Sequence, residues 1–336
     1  MLRLINPAAT WLRFNDPRQL VEAAGRTCYK SEAKVTADSA PKFVQMLIHR
    51  GHESVLEHAY VALQLDLVGW VGTLVEWWHA RRRLPRALIW TCHDGRLVAS
   101  ANVRVWRDLA RVPTSRVTRR LLAQLAFGVE LGPPTRYAAF FTDLLRPEDL
   151  HRPWWGGGRA TSLAPRDLTP LELRDHLALT LRLVCGRGTS HELVRHRVGS
   201  YSQESTRYCD YAGGVAMVVP EALREDLGPL ANISLTSIPV SVVTTTARTW
   251  LTAALRASNS YAWLRASDVP AQVARGVLPT DLKTEVVATL TLRWWGHLLG
   301  QRLSPAAHPD MRALATLIQR ELAAAVSVLR EDPDYL

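Results

Sequence analysis

The stretch HELVRHRVGSYSQESTRY, residues 191–208, carries three arginines and two histidines together with several hydroxyl and amide side chains. If its second half is extended, Gln203, Ser205 and Arg207 lie on one side of the strand. An amide, a hydroxyl and a guanidinium on one side are the donors that a phosphate monoester and its ribose require. The stretch therefore predicts a nucleotide-binding site.

Other interpretations of the same stretch are weaker. HELVRH resembles a zinc motif, but His191 and His196 are five residues apart, which places them about 140° apart around a helix. CGRGTSH has no third glycine for a dinucleotide-binding turn, and no phosphate-binding P-loop motif occurs. A purely structural alternative remains, in which Arg195 and Arg197 complement a helix C-terminus and Arg207 is a surface charge.

Hydrophobic periodicity predicts helices over 16–29, over 41–51 with Gly51 at its end, over 246–264, over 281–303 and over 309–329. YVALQLDL, residues 60–67, is typical of a strand. Residues 170–198 are predicted to be a helix or a strand followed by a helix, with a capping box formed by Thr189 and Glu192.

Composition indicates a folded protein whose surface favours the binding of anions. The chain has 336 residues, 47% of them hydrophobic, and a formal net charge of +10. Lysine occurs only at positions 30, 34, 42 and 283, so nearly all basic residues are arginines, which suit carboxylates and phosphates. We expect one domain over 1–336, with a Trp-, Arg- and Pro-rich insertion at about 68–168.

Four cysteines, at 28, 92, 185 and 209, are far apart in sequence and predict free thiols in a reducing cytoplasm. No hydrophobic signal core follows a cationic start, which leads us to expect a cytoplasmic protein. The longest uncharged run, residues 227–247, contains two prolines and many hydroxyl residues, so no membrane span is expected.

Arg195-His196-Arg197, followed by seven residues and Ser205, resembles the signature of the flavin-dependent thymidylate synthases. RTCYKS (26–31), GHESVLEH (51–58), ASANVRVWRD (99–108) and residues 274–303 are similar to further segments of that family in the same order. The resemblance covers about two thirds of the chain and weakens at about 110–168.

The resemblance implies an enzyme of α/β (α+β type) fold that makes dTMP from dUMP. The methylene group would come from 5,10-methylenetetrahydrofolate and the hydride from FAD reduced by NADPH. Members are homotetramers whose active sites are shared between subunits.

Residue roles follow from the same resemblance. The residues expected to contact FAD are His58, Arg195, His196, Arg197, Arg293 and His297, and His297 replaces a frequent asparagine of the family. The residues expected to bind dUMP are Gln203, Glu204, Ser205, Arg207 and Arg275 of one subunit and Glu192, Arg195 and Arg302 of another. Arg302 is the expected catalytic residue, because its permanent charge would stabilise a deprotonated pyrimidine. Thr291 and Ala306 also depart from common family residues.

A non-enzymatic alternative is a nucleic-acid-binding protein. The segment WWHARRRLPR, residues 77–86, and the RHR segment together would form a basic and aromatic surface for single strands. Because the signature is that of an enzyme that binds a mononucleotide, we do not expect nucleic acid as the partner. We expect no metal site, since the two histidines of HELVRH do not share a helical face.

Overall fold

The computed structural model describes residues 1–65, 89–93, 96–111, 160–242 and 244–331. These residues form a mixed structure of helices and antiparallel and parallel strands, which confirms the predicted α/β (α+β type) class. The strands are β1 (Leu2–Ile5), β2 (Ala8–Trp11), β3 (Tyr60–Leu65), β4 (Ile89–His93), β5 (Arg96–Asn102), β6 (Ala160–Ser162), β7 (Ala178–Gly186), β8 (Ser200–Gln203), β9 (Val215–Val218), β10 (Ser234–Leu235) and β11 (Lys283–Thr291). The helices are α1 (Pro17–Tyr29), α2 (Ser39–His49), α3 (Val103–Arg111), α4 (Pro170–His176), α5 (Arg187–Leu193), α6 (Arg224–Leu227), α7 (Thr245–Ala266), α8 (Ala271–Ala274), α9 (Leu292–Arg302) and α10 (Pro309–Glu331).

The sheet that carries the site has the strand order β2-β7-β11-β8, with every neighbouring pair antiparallel. β7 and β11 pair over their full length, from Lys283 opposite Gly186 to Thr291 opposite Ala178. One face of this pair forms a buried cluster with α9 and α10. Burial of that face stabilises the strands that present the site, because apolar area removed from water contributes about 25 cal/mol per Å².

The prediction of a helix over 281–303 is wrong for residues 283–291, which form β11. The segment KTEVVATLT is rich in β-branched residues, and both of its faces are covered, so apolar positions run continuously instead of alternating. Only the second half of the predicted helix, α9, is helical.

The described residues form two further sheets. β1 lies between β10 and β9 and packs with α7 through Leu2, Leu4, Leu251 and Tyr261. The order of the third sheet is β4-β5-β3-β6, so three of its strands come from the expected insertion at 68–168. The segment 77–86 lies outside the described residues, and the prediction of one domain with an insertion stays a prediction.

Several helix boundaries agree with those predicted from the sequence. Asp16 caps α1 by accepting from the Arg18 backbone N–H at 2.8 Å, and Gly51, with φ of +70°, follows α2. α7 and α10 occupy the predicted ranges, and β3 begins at the predicted residue.

Across the described parts of the chain, no helix is both long and apolar enough to span a bilayer. All four cysteines are free, as expected.

Two local predictions are wrong. α5 begins directly after β7 with Gly186 at its N-cap, so Thr189 and Glu192 lie inside the helix and form no capping box. β8 ends at Gln203, and residues 204–209 form a turn in which the Tyr208 and Cys209 N–H groups donate to the Ser205 carbonyl. The chain leaves the sheet because the Ser205 N–H donates to the Cys28 carbonyl at the end of α1 instead of to β11. Gln203, Ser205 and Arg207 therefore do not alternate along one extended strand.

Candidate functional site

Arg302, at the end of α9, is the centre of a three-residue cluster with Glu192 and His196. Its Nη1 donates to Glu192 Oε2 at 2.8 Å, its Nη2 to the Glu192 carbonyl at 2.9 Å, and its Nε to His196 Nε2 at 3.1 Å. Burial, together with the positive charges of Arg302 and His297, lowers the pKa of His196. His196 is therefore neutral near pH 7, with Nε2 as the acceptor and the proton on Nδ1.

Beside this cluster, Arg195 and Arg197 lie on the turn between α5 and β8. Both side chains are exposed, and neither makes a hydrogen bond or an ion pair within the described part of the protein. His297 is also exposed and lies edge-on to His196 and Trp294, with ring centroids 6.1 and 5.7 Å away. The group thus offers two unpaired guanidinium forks, which are suited to a phosphate or pyrophosphate.

The predicted dUMP residues of one subunit lie around the turn at 204–209. Gln203 donates to Ser190 Oγ at 2.8 Å and to Thr284 Oγ1 at 3.1 Å. Arg207 is exposed over the Tyr208 ring, and Arg275 donates to Thr206 Oγ1 at 2.9 Å. Together with the Ser205 hydroxyl, these side chains bring two cations and one hydroxyl to the same turn.

Glu204 differs from its neighbours because its carboxylate is buried, with 1% of the residue exposed. Oε1 accepts from the Tyr211 hydroxyl at 2.8 Å, and Oε2 accepts from Lys283 Nζ at 2.9 Å and from the Glu285 N–H at 3.2 Å. Lys30 and Lys283 were not among the residues predicted for the site, although the rarity of lysine in an arginine-rich chain was a usable signal.

His58 lies in the core between β8 and β11 instead of on the surface. Its Nδ1 is 2.8 Å from Thr289 Oγ1 and its Nε2 is 2.9 Å from Ser202 Oγ, and Thr289 is bonded in turn to Thr180. Burial lowers the pKa of His58 to about 3, so the ring is neutral at physiological pH. Both ring nitrogens are engaged, and a direct contact with FAD would require one of these bonds to break.

Arg293, at the start of α9, is held by Asp175 through two parallel bonds, Nε to Oδ1 at 2.6 Å and Nη2 to Oδ2 at 2.7 Å. Partial burial raises the pKa of Asp175, but the bonds from Arg293 and Arg174 outweigh this and hold it below its ordinary value. Both N–H groups of Nη1 and the second N–H of Nη2 are left for a ligand. No local pattern indicated Asp175, because its partner Arg293 lies 118 residues away in the chain.

A small cavity of about 40 Å³ is lined by Glu57, Tyr60, Val198, Thr291 and Trp294, among others, and Val198 directly follows Arg197 in the chain. The Thr291 hydroxyl is buried without a hydrogen-bond partner among the described residues. An unsatisfied buried hydroxyl costs about 1–3 kcal/mol, so a ligand atom that bonds it would be favoured. Ala306 is exposed and lies outside this cavity.

The predicted residues thus form two groups that contact α5, one around the turn at 204–209 and one around Arg302. Ser190 of α5 contacts Gln203, the last residue of β8 before the turn, whereas Glu192 contacts Arg302. Two residues along a helix correspond to a rotation of about 200°, so the two groups lie on opposite faces of α5. Among the residues that the structure covers, no His, Cys, Asp or Glu cluster could hold a metal ion.

Solved structures resemble the chain only weakly. A UMP/dUMP methylase from Streptomyces cacaoi bound with 5-Br dUMP covers 98% of this chain and 95% of its own at 15% identity and a TM-score of 0.38. A thymidylate synthase X from Helicobacter pylori with FAD and dUMP covers 48% of this chain and 74% of its own at 23% identity and a TM-score of 0.34. These scores are too low to support an inference about fold or ligands.

Sequence relatives are more informative. A protein named flavin-dependent thymidylate synthase from Mycobacterium marinum is 35% identical over 146 residues, 44% of this chain and 57% of the relative. One of the same name from Geobacter sulfurreducens is 33% identical over 135 residues, 40% of this chain and 51% of the relative. The chain spans about half the length of these curated relatives.

The family model for the thymidylate synthase complementing protein, Thy1, matches residues 10–73 and 166–326. This match takes in more than half of the chain, including the RHR stretch, the turn at 204–209 and Arg302, and leaves 74–165 unmatched. The chain therefore belongs to the thymidylate synthase complementing protein family.

Proposed function

We propose that this protein is a flavin-dependent thymidylate synthase that converts dUMP into dTMP. It takes the methylene group from 5,10-methylenetetrahydrofolate and the hydride from FAD reduced by NADPH. The observation that carries the proposal is the pair of exposed and unpaired guanidinium groups, Arg195 and Arg197, beside the Arg302 cluster in the part matched by the family model. We further propose a cytoplasmic homotetramer.

The residues present fit FAD at the RHR turn. Arg195 and Arg197 are free to bind its pyrophosphate, and the unsatisfied Thr291 hydroxyl in the adjoining cavity can bond a ring heteroatom. His297 is exposed at the same place, and Arg293 can contribute Nη1. FAD, when bound, supplies the hydride chemistry that no side chain of the protein can supply.

The protein's own residues bind and polarise dUMP. Arg207, Arg275 and the Ser205 hydroxyl supply charge-assisted hydrogen bonds for the phosphate. Arg302 stabilises negative charge on the pyrimidine, and its three bonds to Glu192 and His196 fix the guanidinium plane in advance. Ser205 acts as a binding hydroxyl, since the hydride chemistry belongs to the flavin.

The two faces of α5 support the proposal that active sites are shared. The turn at 204–209 lies toward Ser190 and the Arg302 cluster toward Glu192, so one protomer presents them in different directions. A partner subunit can complete each site by bringing its Arg302 cluster to the turn. Sedimentation of the purified protein as a tetramer would support this part of the proposal, and a stable active monomer would contradict it.

The proposal is tested by an anaerobic assay of the purified protein with FAD, NADPH, 5,10-methylenetetrahydrofolate and dUMP. Product is followed by chromatography and flavin by absorbance. We expect dTMP only when all four compounds are present. Binding of FAD without dTMP formation would reject the proposed reaction, and no binding of FAD would reject a flavoprotein altogether.

Replacement of Arg195 and Arg197 by alanine is expected to weaken FAD binding by about tenfold for each lost charge-assisted contact. Titration of the apoprotein with FAD, followed by flavin fluorescence, measures this without turnover. Arg320→Ala on the exposed face of α10 is the matched control and should bind FAD like the wild type. An unchanged FAD affinity in the Arg195→Ala/Arg197→Ala double variant would contradict the assignment of the pyrophosphate site.

Ser205→Ala is expected to raise the KM for dUMP by about tenfold or more while kcat falls less than about threefold, since a hydrogen bond to a charged phosphate contributes about 1.5–3 kcal/mol. Steady-state kinetics at saturating folate give both constants. Ser260→Ala, at an exposed position of α7, controls for loss of a hydroxyl elsewhere. Complete loss of turnover with normal dUMP binding would instead indicate that Ser205 takes part in the chemistry.

A further inference from the structure

Two of the chain's four lysines converge on two carboxylates behind the turn at 204–209. Lys283 Nζ is 2.9 Å from Glu204 Oε2 and also pairs with Glu285 Oε1. Lys30 pairs with Glu285 Oε1 as well and lies 3.8 Å from Glu204 Oε2. We call these four residues the lysine–glutamate cluster; it combines two positive and two negative charges.

Most of the lysine–glutamate cluster is buried, so the balance between its positive and negative charges matters for stability. Glu204 is 1% exposed, and the side chains of Lys283 and Glu285 are 13% and 15% exposed. Burial raises the pKa of Glu285, but the hydrogen bonds from Lys283 and Lys30 outweigh it and hold the pKa below its ordinary value. Removal of Lys283 would leave an uncompensated negative charge in a place with little water, which is strongly unfavourable. The Lys30 side chain is 29% exposed, so water can replace its ammonium group at a smaller cost in stability.

Lys30 occupies an unusual backbone conformation. It follows α1 with φ of 50° and ψ of 51°, the left-handed region in which glycine is the favoured residue at a helix end. A long side chain in this region costs free energy and persists where its surroundings require it. Here the conformation directs the ammonium group to Glu285 and Glu204.

The cluster is tied directly to the turn. The Glu204 N–H donates to the Glu285 carbonyl at 2.9 Å, and the Ser205 N–H donates to the Cys28 carbonyl at 3.0 Å, two residues before Lys30. The Glu204 carbonyl accepts from Arg187 Nη1 at 3.1 Å. Both backbone groups of Glu204 and its carboxylate are thereby fixed immediately before Ser205.

We propose that Lys30 and Lys283 are positioning residues that hold Glu204 as an internal anchor, so that the turn presents Ser205 and Arg207 to the phosphate of dUMP. Glu204 then serves the site through the backbone that it fixes and does not itself contact dUMP. The part of this inference that concerns dUMP rests on the proposed function, whereas the anchoring of the turn does not.

Lys30→Gly separates positioning from general stability. Glycine is favoured at this backbone conformation, so the melting temperature should stay within about 3 °C of the wild type, while the ammonium group is lost. Amide hydrogen exchange at Tyr208 and Cys209, whose N–H groups close the turn, should become about tenfold faster or more. The Kd for dUMP, measured by calorimetry, should rise by about tenfold, since a misplaced Arg207 loses bidentate contact.

Three matched variants complete the experiment. Lys30→Arg keeps the charge and should restore both slow exchange and dUMP affinity to within about twofold of the wild type. Lys42→Met removes an exposed lysine from α2 and should change neither quantity. Tyr211→Phe removes one bond to Glu204 without changing charge, and should accelerate exchange at the turn even if Lys283→Met does not fold.

The outcomes distinguish the proposed anchoring of the turn from the proposed function of the protein. Unchanged exchange at Tyr208 and Cys209 in Lys30→Gly and Tyr211→Phe would overturn the anchor, whatever dUMP does. Faster exchange with an unchanged Kd for dUMP would overturn the positioning role. A wild-type protein that binds no dUMP would reject the proposed function, while the exchange data would still decide whether the cluster anchors the turn.

Discussion

Arg302→Lys is expected to lower turnover by about a hundredfold or more, while the Kd for dUMP rises less than about tenfold. Lysine keeps the positive charge but cannot make the three directed bonds that Arg302 makes to Glu192 and His196. The charge would then no longer be fixed where the pyrimidine develops negative charge. Binding depends mainly on the phosphate contacts at the turn and should change less.

Single-turnover kinetics with pre-reduced flavin and an independent dUMP titration would measure the two effects separately. Arg320→Lys makes the same chemical change on the exposed face of α10 and should leave both unchanged. Glu192→Gln is an informative companion, because it keeps a hydrogen-bond acceptor for Arg302 and removes only the carboxylate charge. Turnover of Arg302→Lys within about twofold of the wild type would remove Arg302 from the reaction.

Much of the helical framework was predictable from the sequence because its signals are local. α1, α7 and α10 have apolar residues at helical spacing, and Asp16 and Gly51 lie at helix ends where their side chain or backbone is favoured. β11 was assigned wrongly because both of its faces are buried. A strand of that kind has no alternation to distinguish it from a helix.

The residues proposed for the candidate site come from the sequence, whereas their arrangement in space could be inferred only in part. The RHR stretch indicated an anion site, and the structure leaves Arg195 and Arg197 unpaired within its described ranges. The partners of Arg302 and His58 are separated from them by 110 and 231 residues in the chain, so no local pattern could reveal them. The lysine–glutamate cluster was hidden in the same way, since Glu204 and Lys283 are 79 residues apart in the chain.

Hydrogen bonding to both nitrogens of His58 has a measurable consequence for stability. The ring is 1% exposed, and burial lowers its pKa to about 3 from an ordinary value of 6.5. Between these values the unfolded chain binds a proton at His58 and the folded chain does not. The contribution of His58 is therefore fully present above pH 6.5 and is lost as the pH falls.

We expect the free energy of unfolding to decrease by about 2 kcal/mol between pH 6.5 and pH 5 on account of His58 alone. Buried His176, whose pKa is lowered by burial to about 4 and whose ring bonds Thr91 and Ser100, adds a similar decrease. His58→Asn should be less stable at pH 7 by about 1–3 kcal/mol, because it loses ring volume and a buried hydrogen bond. Its stability should nevertheless depend less on pH by about 2 kcal/mol over the same interval, since asparagine binds no proton.

Urea denaturation at constant ionic strength between pH 5 and pH 7 measures both differences, and the range stays above the lowered pKa values of Asp175 and Glu285. His49→Asn, at the exposed end of α2, should keep the wild-type pH dependence. If His58→Asn showed the same slope as the wild type, His58 would have to be protonated or solvated in the folded protein. Its bonds to Ser202 and Thr289 would then be open part of the time, and His58 would be available to a ligand. Equal slopes would thus favour the FAD contact implied by the family resemblance, whereas a flatter slope assigns His58 to the core.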